Sequence, residues 1–317
     1  MNSAGDILKE KGDFVMSILK EFDKALVLEE TQQGNVKSGY IVEETGRKYP
    51  EYLHKDSWEA LKRDMDPEHK KQYGAGGGKE LDEKNGKPPK MASFASSSRM
   101  IYNYSKDIPG FVFEKKLSTT VGGMANLDGY LELPDKYIFV EAKCREPYGH
   151  KAEQIIKQNY HDIYTYLREK MPDNFSCVME DIQEEKEDQP KRNMRVAFFC
   201  KGKSVAHFDI KQMICHLLSV ATDGLKYQED RDRLFLYFLY NPFALQMPQE
   251  AKVEIMRIYD DTCWVANHFD FKVMFGHIVD FLRVSGKIRA EDEYIAYLKN
   301  SFNFMLCDQN TYKEQLK

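Results

Sequence analysis

Three side chains in this sequence have types and spacings suited to chemistry on a phosphodiester: Asp128, Glu141 and Lys143. They fall in residues 126–144, NLDGYLELPDKYIFVEAKC, where two apolar runs flank a turn at 134–136. Side chains along a strand alternate faces, so Glu141 and Lys143 share one face while Ile138, Val140, Ala142 and Cys144 point the other way into a core. If the two runs pair with Pro134 opposite Tyr137, Asp128 lies opposite Lys143 and Tyr130 opposite Glu141. Opposed Cβ atoms are then about 5 Å apart and diagonal ones about 7–8 Å. Asp128 and Glu141 can converge on one cation in that registry, with Lys143 beside it. Mg²⁺ takes one or two carboxylates, retained waters and phosphate oxygens, and it lowers the pKa of a bound water. A lysine there supplies a compact positive charge for the developing anion. Glu132 shares the face of Asp128 but lies about 13 Å along the strand, too far for the same ion.

A solvated ion pair on a surface hairpin accounts equally well for these three residues alone. Two features favour the metal site. The run YIFV ahead of Glu141 is apolar throughout, so the pair ends a buried strand, and a helical segment at 150–170 follows with Gln154, Lys157 and His161 on its polar side. Other constellations are weaker. GAGGGK lacks the GxxxxGK[ST] spacing of a phosphate loop. Ser96, Ser97 and Ser98 read as a helix N-cap, and His207 and His216 read as ordinary residues of an amphipathic helix.

The positioning elements follow from periodicity. Ile7, Phe14, Val15, Ile18, Leu19 and Phe22 recur at helical spacing, and 57–64 carries Trp58 and Leu61, so residues 1–70 read as helical. Residues 73–91 are dense in Gly and Pro and read as a long flexible loop. Strands are expected at 111–117, 127–133, 137–144, 196–200 and 234–240. Helices are expected at 150–170, 209–225, 250–284 and 291–304. The order predicts an α/β protein with a mixed central sheet flanked by helices. It divides into a helical N-terminal region with its Gly/Pro/Lys loop (1–90), a core (91–245) and a helical extension packed on that core (246–317).

Composition sets the boundaries. The chain has 317 residues and a net charge of −5. The segment MEDIQEEKEDQ alone carries that whole excess and reads as an exposed loop, so the global charge does not argue against a nucleic-acid partner. Basic residues cluster near the motif: Lys136, Lys143, Arg145, Lys151 and Lys157. Six cysteines without a CxxC pair suit a reducing cytosol. No signal-peptide pattern and no span of about 20 apolar residues is present, so a soluble cytoplasmic protein is expected.

Asp128, the twelve residues separating it from Glu141, the Glu141-Ala142-Lys143 triplet and the helix beyond resemble the PD-(D/E)xK nuclease superfamily, the restriction-endonuclease-like fold. PPKMASFASSSRMIYN, FEKKL, NLDGYLE and EAKCREPY resemble a bacterial branch of it, and the resemblance spans residues 88–242, with FDIKQMICHLL and LFLYFLYNP in place. The resemblance implies Asp128, Glu141 and the carbonyl of Ala142 as ligands of Mg²⁺ or Mn²⁺, with Lys143 as catalytic lysine. Members often carry a glutamate on the first helix. Residues 96–106 contain none, which leaves Glu114 as an outer ligand or water orienter. No QxxxY pattern follows the motif, so Gln154 and Gln158 are the supporting candidates, and Arg145, Lys151 and Lys157 the DNA contacts. The implied activity is a metal-dependent DNA endonuclease of restriction, defence or repair type, cutting double-stranded DNA as a homodimer. A non-catalytic nucleic-acid-binding or protein-interaction module on the same fold is the alternative.

Overall fold

The computed structural model describes residues 20–28, 31–32, 36–75, 80–119, 124–134, 136–149, 153–162, 165, 169, 175–184, 191–200, 203–224, 234–240, 247–268 and 272–277. Its central element is a sheet of β3 (Val112–Ser118), β4 (Met124–Leu133), β5 (Lys136–Lys143), β10 (Leu234–Tyr240) and β11 (Lys272–His277), in the order β11-β10-β5-β4-β3. β3, β4 and β5 pair antiparallel, whereas β10 runs parallel to both β5 and β11, so the sheet is mixed as expected.

Apolar residues cover both faces, which is why LFLYFLY and YIFV alternate so little. On one face Tyr137, Phe139, Leu236 and Phe238 pack against α5 (Ile210–Gly224) and α6 (Gln249–His268). On the other, Ile138, Val140, Ala142 and Cys144 pack with α4 (Ser97–Ser105) and with Phe22, Tyr40 and Trp58 of the N-terminal region. Ser96 caps α4, accepting a hydrogen bond from the Arg99 amide at 3.1 Å.

Several expectations are corrected. The N-terminal region is not wholly helical: after α1 (20–28), β1 (Ser38–Ile41) and β2 (Lys48–Leu53) form an antiparallel pair before α2 (Lys55–Asp64) and α3 (Pro67–Ala75). KYPEYL alternates and is rich in tyrosine, and pairing decided its state over the surrounding helical signals. The Gly/Pro stretch is anchored where described, with Glu80 and Leu81 buried. The segment 150–170 is not one helix from its start, because β6 (Glu153–Ile156) pairs with β8 (Lys191–Cys200) and helical residues begin only after the turn at Gln158–Tyr160. Most of the acidic run is not loop: Met179 to Glu184 belong to β7 (Phe175–Glu184), which also pairs with β8. Val196 to Cys200 is a middle strand, but of this second sheet, which β9 (Lys203–Ser204) joins. Finally, α6 ends at His268 and a strand, β11, follows, so the C-terminal region is not purely helical. The predicted helix at 291–304 lies outside the described residues.

Candidate active site

The hairpin of β4 and β5 turns one residue earlier than predicted, with a connection of the same length. Leu133 pairs with Lys136, Glu132 with Tyr137 and Gly129 with Val140. That register is two residues away from the expected one, so face parity survives while the partners change. One step further along the strands, Asp128 comes beside Glu141 instead of Lys143. The side chain seals this step: Asp128 Oδ2 accepts a hydrogen bond from the Ala142 amide at 2.7 Å.

β3 extends the row. Phe113 pairs with Gly129 and Lys115 with Leu127, which sets Glu114 opposite Asp128. Glu114 leaves the regular ladder there, at a φ of 51° in the left-handed region, a conformation costing roughly 1–3 kcal/mol for a non-glycine residue. The neighbouring Phe113 amide is satisfied by Gln72 Oε1 at 2.8 Å. Glu114, Asp128 and Glu141 thus form one lateral row across three adjacent strands. Gly129 is needed beside it, because a Cβ there would meet Phe111 Cζ at 2.2 Å.

The row opens into a cleft of about 780 Å³. Asp128 and Glu114 are partly exposed into it, whereas Glu141 and Lys143 are buried. Lys143 Nζ hydrogen-bonds to Glu141 Oε1 and to Gln212 Oε1. Gln212 comes from the first turn of α5, where Asp209 Oδ1 accepts from the Gln212 amide at 2.8 Å and fixes that turn. One turn on, His216 Nε2 lies 3.1 Å from Glu141 Oε2. At that distance the two form a buried ion pair, and among the described residues neither Glu141 Oε2 nor either ring nitrogen of His216 makes a hydrogen bond. On the opposite wall, buried Glu80 pairs with Lys90 at 2.7 Å and also faces Glu114.

These neighbours set the charges. Burial, then the Glu141 carboxylate, push Asp128 well above the usual carboxylate range against the pull of Lys143. Burial and Glu80 raise Glu114 to about 7. Burial also works against Glu141, but the Lys143 ammonium and His216 outweigh it and bring Glu141 down to about 2. Lys143 is held above the ordinary lysine range despite its burial, by Glu141, Glu146 and Asp128. At neutral pH the row therefore carries the firm negative charge of Glu141, matched by Lys143, beside a half-titrated Glu114 and an Asp128 that holds its proton more tightly than an ordinary carboxyl. An entering cation would displace those protons. Among the described residues, no three His, Cys, Asp or Glu side chains form a closed metal cage. The donor set suits an ion that keeps waters and phosphate oxygens, and Glu141 Oε2, which among the described residues makes no hydrogen bond, is the atom that fits it.

Asp128, Glu141, Ala142, Lys143 and Glu114 come together in the cleft. The other candidates do not. Gln154 lies on β6 and Gln158 is exposed in a turn, neither lining the cleft. Arg145 is bound to Asp23 at 3.0 Å and does not line the cleft. Lys157 is exposed outside it, and Lys151 lies outside the described residues. The supporting amide is Gln212, and His216 is not an ordinary helix residue. The available signal was Gln212 and His216 four apart, on one side of a helix whose other side is Met213, Ile214 and Leu217. Glu80 had no signal beyond being an acid in a Gly-rich stretch.

No family model, curated protein or solved structure matches the chain. Among the described residues, no helix is long and apolar enough to cross a membrane.

Proposed function

We propose that the cleft hydrolyses phosphodiester bonds of DNA as a divalent-metal-dependent endonuclease, of restriction, defence or repair type. The observation that carries this reading is the lateral row Glu114, Asp128, Glu141 with the buried Lys143 one step along the same face of β5. Asp128, Glu141 and the Ala142 carbonyl would hold Mg²⁺ or Mn²⁺, which polarises a phosphate and acidifies a bound water. Lys143, kept charged and aimed by Glu141 and Gln212, offsets the charge that develops on the phosphate. Glu114, raised to about 7, is poised to take a proton from an attacking water near neutral pH. Besides Lys143, Lys90 and Lys211 are the basic residues that line the cleft among those described, and they are set for a phosphate backbone.

The test is cleavage of supercoiled and linear DNA with Mg²⁺, Mn²⁺ or EDTA, beside Lys143→Ala and Glu141→Ala. Cleavage by the wild type that both variants and EDTA abolish is expected. Equal nicking by the variants would place the activity elsewhere. The second reading, a non-catalytic binding module, is favoured by one observation: Glu141 Oε1 is closed on Lys143. It predicts retention of labelled DNA or of a partner protein by a wild type that cuts nothing in any metal.

A further inference from the structure

We propose that the cation position in this cleft includes a nitrogen ligand, His216 Nε2, beside Glu141 Oε2, so that it takes first-row transition ions in preference to Mg²⁺. The inference rests on the reading that the cleft binds a divalent cation, and it goes beyond that reading in naming the donor and the metal class.

His216 is 2 % exposed, and among the described residues neither ring nitrogen makes a hydrogen bond, Nε2 having only its close approach to Glu141. Burying an imidazole without hydrogen bonds is costly, and so is leaving a carboxylate oxygen without one beside it. The two orphans point at one place. They stand 3.1 Å apart on different elements, His216 on α5 and Glu141 at the end of β5. Two ligand atoms on adjacent corners of an octahedron with bonds near 2.1 Å are separated by about 3 Å, so the pair has the spacing of one edge of a coordination sphere.

The neighbours narrow the ligand set. Glu141 Oε1 is occupied by Lys143 and Asp128 Oδ2 by the Ala142 amide, which leaves Glu141 Oε2 as the glutamate's free donor. The adjacent Cys215 is committed elsewhere, its Sγ lying 3.4 Å from Tyr160 OH, and burial raises its thiol pKa. A thiolate site is therefore not what the cleft offers. The remaining positions face the open cleft, where water or phosphate oxygens complete the sphere. Imidazole is a poor ligand for Mg²⁺ and a good one along the series from Fe²⁺ to Zn²⁺, so an N/O edge shifts selectivity toward transition ions.

Pulsed EPR of Mn²⁺ bound to the full chain tests this directly, with Co²⁺ affinity measured in parallel by calorimetry. A ¹⁴N coupling is expected in the wild type and in His207→Gln, whose imidazole contacts Pro147 outside the cleft. The coupling is expected to vanish in His216→Gln, with Co²⁺ affinity down by about 10-fold or more and Mg²⁺ affinity within about 2-fold. Labelling the wild type with ¹⁵N-histidine must change the coupling pattern, which keeps the test independent of how the variant folds. Mn²⁺ bound in the wild type without nitrogen coupling, or a coupling that survives in a folded His216→Gln, overturns the proposal and leaves the nuclease reading in place. Nitrogen coupling in a protein that cuts no DNA does the reverse. Absence of any bound Mn²⁺ or Co²⁺ removes the site itself.

Discussion

Glu114 faces Asp128 across β3 and β4, and holds a left-handed backbone conformation at that position, with a φ of 51°. Burial and the nearby Glu80 raise its pKa to about 7, well above the 4.5 of a free glutamate. A carboxyl whose folded pKa is raised binds its proton more tightly in the native state than in the unfolded one. Its stabilising effect is full below the unfolded value and is lost as pH rises to about 7. Without divalent ions, urea-unfolding free energies should therefore fall across that window by up to about 3 kcal/mol. Glu114→Gln should flatten the decline and be the more stable protein at pH 7.5. An unchanged slope in the variant would show that another group titrates there.

Burial and the Glu141 carboxylate hold the Asp128 carboxyl well above the usual carboxylate range, which favours its neutral form when no cation is bound. Asp128→Asn copies that neutral form, and the amide oxygen can still accept from the Ala142 amide. Its stability should stay within about 1 kcal/mol of wild type, while metal affinity and DNA cleavage fall by about 100-fold. Paired urea melts and cleavage rates check this, and a large loss of stability would mean that the carboxylate is charged in the resting protein.

Lys143 and Glu141 form a buried pair. Lys143→Met leaves an uncompensated carboxylate and should cost about 3–5 kcal/mol. Glu141→Gln combined with Lys143→Met should recover most of that loss without recovering cleavage. Equal destabilisation in the single and double variants would show that packing, not charge, dominates at this pair.

Gly129→Ala tests the close approach beside the row. The added Cβ would sit 2.2 Å from Phe111 Cζ, and relieving that clash should cost about 1–3 kcal/mol. Gly129→Ala with Phe111→Leu should regain part of it, read from denaturant midpoints.

The legible parts of this chain were those governed by local pattern. LFLYFLY, YIFV and the 209–225 periodicity gave β10, β5 and α5 within one or two residues. Alternation alone put Glu141 and Lys143 on one face, and that parity held even though the predicted register slipped by two residues. Strand pairing was hidden. β1 and β2 sit in a segment with helical composition on both sides, and the acidic run forms β7 by pairing with β8, where Glu184 stands opposite Lys191 and Glu180 opposite Arg195. The same holds at the site. Gln154 and Gln158 are nearer the motif in sequence, but Gln212, 69 residues from Lys143, is the amide that reaches it.

The pairing of β10 with β5 has a consequence for the order in which the protein is made. Tyr137 finds its partner only at Leu234, roughly a hundred residues later, which is about 5–20 s of synthesis at ordinary ribosomal rates. Through that interval one edge of β5, apolar from Tyr137 to Val140, has no strand to bond to, and such an edge invites pairing with other chains. Yield in cells should therefore depend on chaperone capacity and on translation speed between β5 and β10 more than on the stability of the finished fold.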